Sequence, residues 1–335
     1  MQTRFAFFKG GIVPIEEAKV SVRTHTFNYG TGCFEGIRGY WNADEKEMLV
    51  FRLTEHYERF LESCRILFID LPYTVEQLVE ITLDLLRREE FQQDAYIRPL
   101  AYKADEVIGV KLHDMTDEVT IFATPFGRYV ENEEGTRVHI SSWRRVSDNM
   151  IPARGKIVGA YVNSAFAKTE ALLNGFDEAI VLNHNGHVSE GSAENIFIVR
   201  DGVVATPPVT DNILEGITRA VVIELCRDVL HLPVMERQID RSELYISEEV
   251  FFTGTGVQIA AITEIDHRKV ANGHMGPLVK ELRELYFNVV RGRLPAYRHW
   301  CTPVYNTPAA KPGSQDGFLK ETVGRQPAMV PAIAV

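Results

Sequence analysis

The sequence predicts an α+β fold in unequal parts, on three observations. Short apolar runs of strand period are joined by hairpin turns rich in Gly and Asn. Capped helical segments interrupt them without the strict strand–helix alternation of a doubly wound sheet. An acidic, glycine-bounded stretch begins at Gly127. These features set a small N-terminal domain over residues 1–126, a linker over 127–136 and a larger domain over 137–294 whose mixed sheet closes on itself. A Pro-, Ala- and Gly-rich extension of unknown role, 295–335, carries no motif.

The elements follow in order. Residues 5–14 read as a hairpin turning at Lys9-Gly10-Gly11, and the alternation of Val20, Val22 and Phe27 reads as a further strand. It leads into residues 28–41, where Gly30, Gly32, Gly36 and Gly39 imply tight backbone or close approach to something bound. Thr54 is the expected cap of a helix to about Leu67, with Phe60, Leu61, Cys64 and Leu67 on its apolar face; Arg59 lies off that stripe and reads as a solvated side chain. Thr74-Val-Glu-Gln77 matches a capping box ahead of Val75, Leu78, Val79 and Leu86. Strands are expected over 95–102 and 119–124.

Beyond the linker, a strand over 137–142 precedes a helix over about 160–173 that ends at Asn174-Gly175. A strand over 178–182 runs into Asn185-Gly186, read as a type I′ turn. Residues 195–199 pair through Asp201-Gly202 with 203–206, and a helix over 216–229, a strand over 250–253 and a helix over 277–290 complete the set.

Bulk properties exclude several classes. Lys and Arg number 36 against 46 Asp and Glu, and the net charge of −10 disfavours nucleic acid or an anionic membrane as partner. No apolar run approaches a membrane span, and the N-terminal residues lack the apolar core of a secretory signal. Cys33, Cys64, Cys226 and Cys301 contain no CxxC pair and read as reduced, buried thiols of a cytoplasmic protein. No metal site is expected: His184 and His187 flank a hairpin turn without a third ligand nearby.

Two residues carry the chemistry. Lys156, between Gly155 and Ile157-Val-Gly-Ala160, is a lysine among small and apolar neighbours, where burial favours the neutral amine that forms a Schiff base. Glu190, in Ser189-Glu190-Gly191, is a carboxylate suited to hold a pyridine nitrogen protonated. At ~4 Å and an effective dielectric near 20 such a contact contributes about 4 kcal/mol, roughly three pK units. Taken singly, Lys156 also reads as a surface lysine and Glu190 as a hairpin-end carboxylate. Two donor clusters suit a phosphate: Gly216, Ile217 and Thr218 at a helix N-terminus, and Thr253-Gly-Thr-Gly256 after an apolar strand.

The runs Tyr-Gly-Thr-Gly-Cys-Phe-Glu-Gly-Ile-Arg38, Tyr-Ile-Arg-Pro-Leu100, Ser-Ser-Trp143, Lys156, Ser-Glu-Gly-Ser-Ala-Glu-Asn195 and Gly-Ile-Thr-Arg219 stand in the order found in one family. From about residue 5 to about 292 the chain resembles the branched-chain amino acid aminotransferases, pyridoxal 5′-phosphate enzymes of fold type IV, whose larger domain is a pseudo-barrel. The resemblance implies that Lys156 is the imine lysine and proton shuttle, that Glu190 binds the pyridine nitrogen and that Tyr161 bonds the ring hydroxyl. It assigns the phosphate to Arg59, Ile217, Thr218 and Thr255, which reverses the solvated reading of Arg59.

For substrate it implies Tyr96 and Arg98 for carboxylates, with Arg98 taking the distal one of glutamate, and Thr255 and Gly256 beside the α-carboxylate. Tyr29, Phe34 and Tyr129 are implied as walls of the side-chain pocket, with Val110 contributed by a neighbouring subunit of a homodimer or higher oligomer. Two departures point to a wider pocket: Phe126 stands where tryptophan is frequent, and Gly256 where alanine is common. The implied reaction exchanges the amino group of L-leucine, isoleucine or valine with 2-oxoglutarate. A transaminase for D-amino acids or (R)-amines and an aminodeoxychorismate-type lyase are the same-fold alternatives, and the intact Tyr-Ile-Arg-Pro-Leu100 argues against pure forms of the first two.

Overall fold

The structure, a computed structural model, describes residues 3–127 and 135–306. Tyr129, most of the expected linker and the extension beyond 306 lie outside the described residues. The first sheet holds β1 (Phe5–Phe8), β2 (Gly11–Pro14), β3 (Gly32–Phe34), β4 (Ile37–Asn42), β5 (Glu47–Phe51), β6 (Ala95–Lys103) and β7 (Asp117–Pro125). Their order is β5-β4-β6-β7-β1-β2 with β3 beside β6, and these pairs are antiparallel. Between the strands run α1 (His25–Tyr29), α2 (Leu53–Ile66) and α3 (Val75–Glu89). Phe60, Cys64, Leu78 and Leu86 of α2 and α3 pack onto Ile37, Val50, Ile97 and Ile121 of the sheet as one core.

The second sheet takes β8 (Thr136–Arg144), β9 (Glu178–Leu182), β10 (Val188–Gly191), β11 (Asn195–Arg200), β12 (Val203–Thr206), β13 (Val234–Glu236), β14 (Glu249–Gly254), β15 (Gln258–Ile265) and β16 (Arg268–Lys269). The order β10-β9-β8-β15-β14-β11-β12-β13, with β16 on β15, mixes parallel and antiparallel pairs. Its two edges meet: Val188 N–H donates to the Ile239 carbonyl at 2.9 Å, and His187 bridges Asp240. The sheet therefore curls into a half-barrel, which matches the expectation of a mixed sheet closing on itself. Around it lie α4 (Tyr161–Leu173), α5 (Ile217–Asp228) and α6 (Pro277–Val290). A last strand, β17 (Cys301–Pro303), returns to the first sheet and pairs with β5, Cys301 opposite Phe51. Residues 301–303, which composition groups with the extension, thus finish the first sheet.

Several local expectations change. Val20 and Val22 form no strand, and Phe27 lies in α1. All three are exposed, because the Asn28 side-chain amide donating to the Val22 and Thr24 carbonyls winds this segment into turns. The α2 helix begins at Leu53 after Arg52, whose left-handed backbone (φ 51°) and stacking over Trp300 at 3.8 Å displace Thr54 from the cap. Asn185-Gly186 is not a type I′ turn: the Gly186 N–H donates to the Asn183 carbonyl at 3.1 Å and only Gly186 of the pair has positive φ, the three-residue hairpin pattern. Two left-handed residues in succession occur at Asp201-Gly202 instead.

The capping box is present as read. Gln77 N–H donates to Thr74 Oγ1 at 3.3 Å, and Thr74 N–H to Gln77 Oε1 at 2.8 Å. Thr74→Ala is expected to lower stability by about 1 kcal/mol, read as a shift in the urea midpoint with an unchanged slope.

Candidate active site

Lys156 stands where the two sheets meet. Its carbonyl accepts from the Phe34 N–H at 3.0 Å and its own N–H donates to Ser63 Oγ at 3.1 Å, while Ile157 bridges Cys33. Strand β3 and helix α2 thereby fix the main chain, and the side chain projects into a cleft of about 490 Å³. Its Nζ donates to the Tyr161 hydroxyl at 2.7 Å. Tyr161 is the first residue of α4, and its ring packs on Phe34 with centroids 4.8 Å apart.

Burial pulls the Lys156 ammonium toward the neutral amine, as the sequence suggests. Tyr161 and Glu35 outweigh that pull, with the Arg59 charge opposing them, and the net direction is upward. The proton thus stays on Nζ, next to a hydroxyl that accepts its hydrogen bond.

Across the cleft Glu190, the penultimate residue of β10, has both oxygens occupied. Oε1 pairs with the Arg145 guanidinium at 3.0 Å; Oε2 accepts from the Leu214 N–H at 3.0 Å and from Asn195 Nδ2 at 3.2 Å. Burial pushes its carboxyl up, and Arg145 and the Leu214 N–H oppose that rise. Sequence reasoning singles out neither Arg145 nor Asn195, although Arg145 sits two positions after the Ser-Ser-Trp143 run and Asn195 ends the Ser-Glu-Gly run.

An anion cradle lies between α5 and α2. The N-terminus of α5 has no side-chain cap, and Ile217 and Thr218 of its first turn line the cleft with Thr255 and Arg59. Arg59 is neither solvated nor free to swing. Its Nε and Nη2 donate to Glu35 at 2.7 and 2.8 Å, and Nη1 to the Glu215 carbonyl at 2.7 Å. Glu35 is completely buried and also bonds His56 Nδ1 at 2.8 Å. Burial alone would push its carboxyl up, but Arg59 and His56 hold it well below the ordinary carboxylate range. Burial, chiefly, drives His56 down, so the neutral ring donates from Nδ1 to an acceptor-only carboxylate. Sequence reasoning missed this Glu35–His56 pair.

The substrate side of the cleft comes from strand alternation. Tyr96, Arg98 and Leu100 share one face of β6 and line the cleft, while Ala95, Ile97 and Pro99 are buried on the other. Arg98 Nη2 donates to the Tyr96 hydroxyl at 2.8 Å, and its guanidinium covers the Phe34 ring at 4.3 Å. Its Nε is buried with no partner. Gly36 faces them: a Cβ there would overlap the Tyr96 hydroxyl, so only glycine admits this tyrosine. Phe126 packs on Tyr96 with centroids 5.0 Å apart, and Gly256 completes the wall.

The cleft thus gathers twelve of the expected residues: Phe34, Arg59, Tyr96, Arg98, Phe126, Lys156, Tyr161, Glu190, Ile217, Thr218, Thr255 and Gly256. Tyr29 and Val110 are not among its lining; the Tyr29 hydroxyl accepts from the Gly109 N–H at 3.2 Å and Val110 is exposed. Chemically, an amine beside a phenol, a buried carboxylate paired with arginine and an uncapped helix end beside a second arginine fit one ligand. It carries a carbonyl, a basic ring nitrogen and a phosphate. No cluster that could hold a metal ion occurs among the described residues.

Comparison with known proteins gives the same direction. The family described as amino-transferase class IV matches residues 32–265. A probable branched-chain-amino-acid aminotransferase of Aquifex aeolicus is 53% identical over 90% of this chain and 97% of its own. A crystal structure of a branched-chain aminotransferase from Thermoproteus uzoniensis with norvaline superposes with a TM-score of 0.87 at 45% identity, covering 90% of this chain and 100% of that one. The branched-chain amino acid aminotransferase from Thermobaculum terrenum, crystallised in its PLP-bound holo-form, gives a TM-score of 0.87 at 39% identity, with 90% and 99% covered.

Proposed function

This chain belongs to the class IV aminotransferases, as a branched-chain-amino-acid aminotransferase of fold type IV using pyridoxal 5′-phosphate, and we propose that its amino acceptor is 2-oxoglutarate. The observation that carries the acceptor is Arg98, whose buried Nε lacks a partner at the edge of an otherwise apolar wall of Phe34, Leu100 and Phe126. One pocket must take leucine and glutamate in alternate half-reactions. An apolar surface with one guanidinium serves both, since the arginine meets the distal carboxylate of glutamate and lies aside for leucine.

When bound, the cofactor supplies a carbonyl that carries the amino group and a protonated ring that accepts the electrons of the departing α-proton. In the proposed roles Lys156 Nζ holds that carbonyl and then moves the α-proton, with Tyr161 keeping Nζ oriented. Glu190 faces the ring nitrogen, kept in place by Arg145, Asn195 and the Leu214 N–H. Ile217, Thr218, Thr255 and the Glu35-anchored Arg59 take the phosphate. Tyr96, Thr255 and Gly256 receive the substrate α-carboxylate.

The exposed cluster of Val20, Val22, Phe27, Ile108 and Val110 supports assembly as a homodimer, in which Val110, Tyr29 and Tyr129 complete a pocket. A small domain up to 126, a larger one from 137 and a cytoplasmic site of action belong to the same proposal. Among the described residues no helix is long and apolar enough to cross a membrane.

The test is a half-reaction. The cofactor-loaded protein is mixed with L-leucine without acceptor, and the cofactor absorbance is followed to the pyridoxamine form. Conversion by L-leucine that is reversed by 2-oxoglutarate supports the reading; conversion by D-alanine or an (R)-amine but not by L-leucine sinks it. Arg98→Leu is expected to slow the glutamate half-reaction about 100-fold while the leucine half-reaction falls far less, measured by single-turnover kinetics with each substrate.

A further inference from the structure

Three carboxyl groups and two cations lie close together beneath the cleft. Glu178 of β9 is fully buried and pairs with Lys168 of α4 at 2.5 Å, its second oxygen accepting from the Ala179 N–H at 2.8 Å. Glu190 of β10 pairs with Arg145 at 3.0 Å. Glu194, in the turn from β10 to β11, lines the same cleft and is 4% exposed, yet it has no cation in contact. Its Oε2 accepts from the adjacent Ala193 N–H at 3.0 Å, and its Oε1 is buried without a hydrogen-bond partner.

No cation among the described residues contacts Glu194, and those nearby are already engaged by other groups. Lys168 is spent on Glu178 and the Asp177 carbonyl, and Arg145 on Glu190 and the Asn212 carbonyl. From β14, which pairs with β11, come Phe252 and Thr253, neither of which titrates in this range. The Arg219 guanidinium of α5 is engaged by Glu236 at 2.7 Å. A buried carboxyl in such a place takes up a proton rather than stand unpaired.

We propose that Glu194 is held as a neutral carboxylic acid with its proton on Oε1, so that Glu190 alone presents a negative charge to the ring nitrogen of the bound cofactor. The consequence for the ring rests on the cofactor placement given above; the protonation of Glu194 does not. Glu194 is in this sense a positioning residue acting through Glu190. The physical causes agree: burial first and the Glu178 charge second push its carboxyl up to about 8, with Glu190 adding to the rise and the Ala193 N–H and Lys168 opposing it.

The sign of the linkage makes this measurable. A carboxyl at about 8 in the fold and 4.5 when unfolded keeps its proton in the folded state through that interval after the unfolded chain has lost it. Its contribution to stability is fully present below 4.5 and declines as pH rises, until it levels off above about 8. Glu194→Gln preserves the shape of the neutral acid and cannot ionise.

Urea unfolding of the full chain loaded with pyridoxal 5′-phosphate, wild type against Glu194→Gln, from about pH 5 to about pH 9, is the experiment. The wild-type folding constant is expected to fall about tenfold per pH unit relative to the variant up to about pH 8, with the variant then the more stable. A pH-independent difference, or a wild type that gains on the variant with rising pH, overturns the proposal. Should the variant not fold, infrared spectroscopy of the wild type and of Glu190→Gln decides: a protonated-carboxyl band present in both near neutral pH supports it, and absence of that band in either overturns it. Absence of the bound-cofactor absorbance would count against the cofactor reading alone, since both measurements still report on Glu194.

Discussion

Lys156→Ala is expected to abolish transamination, with kcat for L-leucine and the proposed acceptor 2-oxoglutarate reduced by about 10⁴-fold or more. In the proposed roles the substitution deletes the group that would hold the carbonyl and move the α-proton, and Tyr161 cannot substitute for it because a phenol hydroxyl is a far weaker base than an amine. The loss is a chemical one. The Lys156 main chain is fixed by Phe34, Ser63 and the Cys33–Ile157 bridge, none of which depends on the side chain. Far-ultraviolet circular dichroism and the unfolding midpoint should therefore stay near those of the wild type while turnover vanishes. Residual activity within about 100-fold of wild type would mean that another group carries the proton.

Glu35→Ala is expected to lower stability by about 3–5 kcal/mol, the cost of removing one partner from a buried ion pair. Glu35 has no exposed surface, and it receives two hydrogen bonds from Arg59 and one from His56. Without it the guanidinium keeps only the Glu215 carbonyl among its protein partners here, and it is free to leave the mouth of α5. A second effect follows from geometry: affinity for pyridoxal 5′-phosphate falls, because Arg59 no longer points at the anion cradle. The sign with pH is fixed by the direction of the shift. A carboxyl held below its ordinary value stabilises the fold above the unfolded value of 4.5 and loses that contribution only as strong acid protonates it. Denaturant titration near neutral pH and equilibrium cofactor binding check the two effects. A stability loss under about 1 kcal/mol would show the Glu35 cluster to be energetically idle.

What could be read from the sequence depended on how local the cause was. The Thr74–Gln77 box is a four-residue arrangement, and it forms as written. The face of β6 that bears Tyr96 and Arg98 follows from strand alternation alone. Lys156 and Glu190 were legible as a chemical pair from residue type and neighbours, which the family motifs then matched, and the fold brings both to one cleft. Arg59 looked solvated because helical periodicity separates core from non-core, and a cleft is neither. Glu35 and His56 meet across 21 positions, and Glu35 sits in a glycine-rich run whose periodicity gives no hint of burial. Glu194 sits four residues from Glu190 in the very motif that identified the family, but its protonation depends on Glu178 and Lys168, which only the tertiary fold brings near. Val20, Val22 and Phe27 failed in the opposite way: only Val20 and Val22 keep strand period, Phe27 five positions on lies in α1, and all three side chains are exposed rather than buried as a strand.

The return of β17 to β5 has a consequence for how the protein is made. Glu47 Oε1 accepts from the Val304 N–H at 2.9 Å, across 257 positions of sequence, and Cys301 pairs opposite Phe51. At ribosomal speeds of about 5–20 residues per second, the nascent chain carries β5 as an open edge for roughly 10–50 s before its partner strand emerges. The run Met48-Leu49-Val50-Phe51, buried in the finished fold, is for that time an adhesive strand within reach of other nascent chains. Completion of the first sheet therefore waits on the synthesis of residues 301–303, about 250 positions after β5.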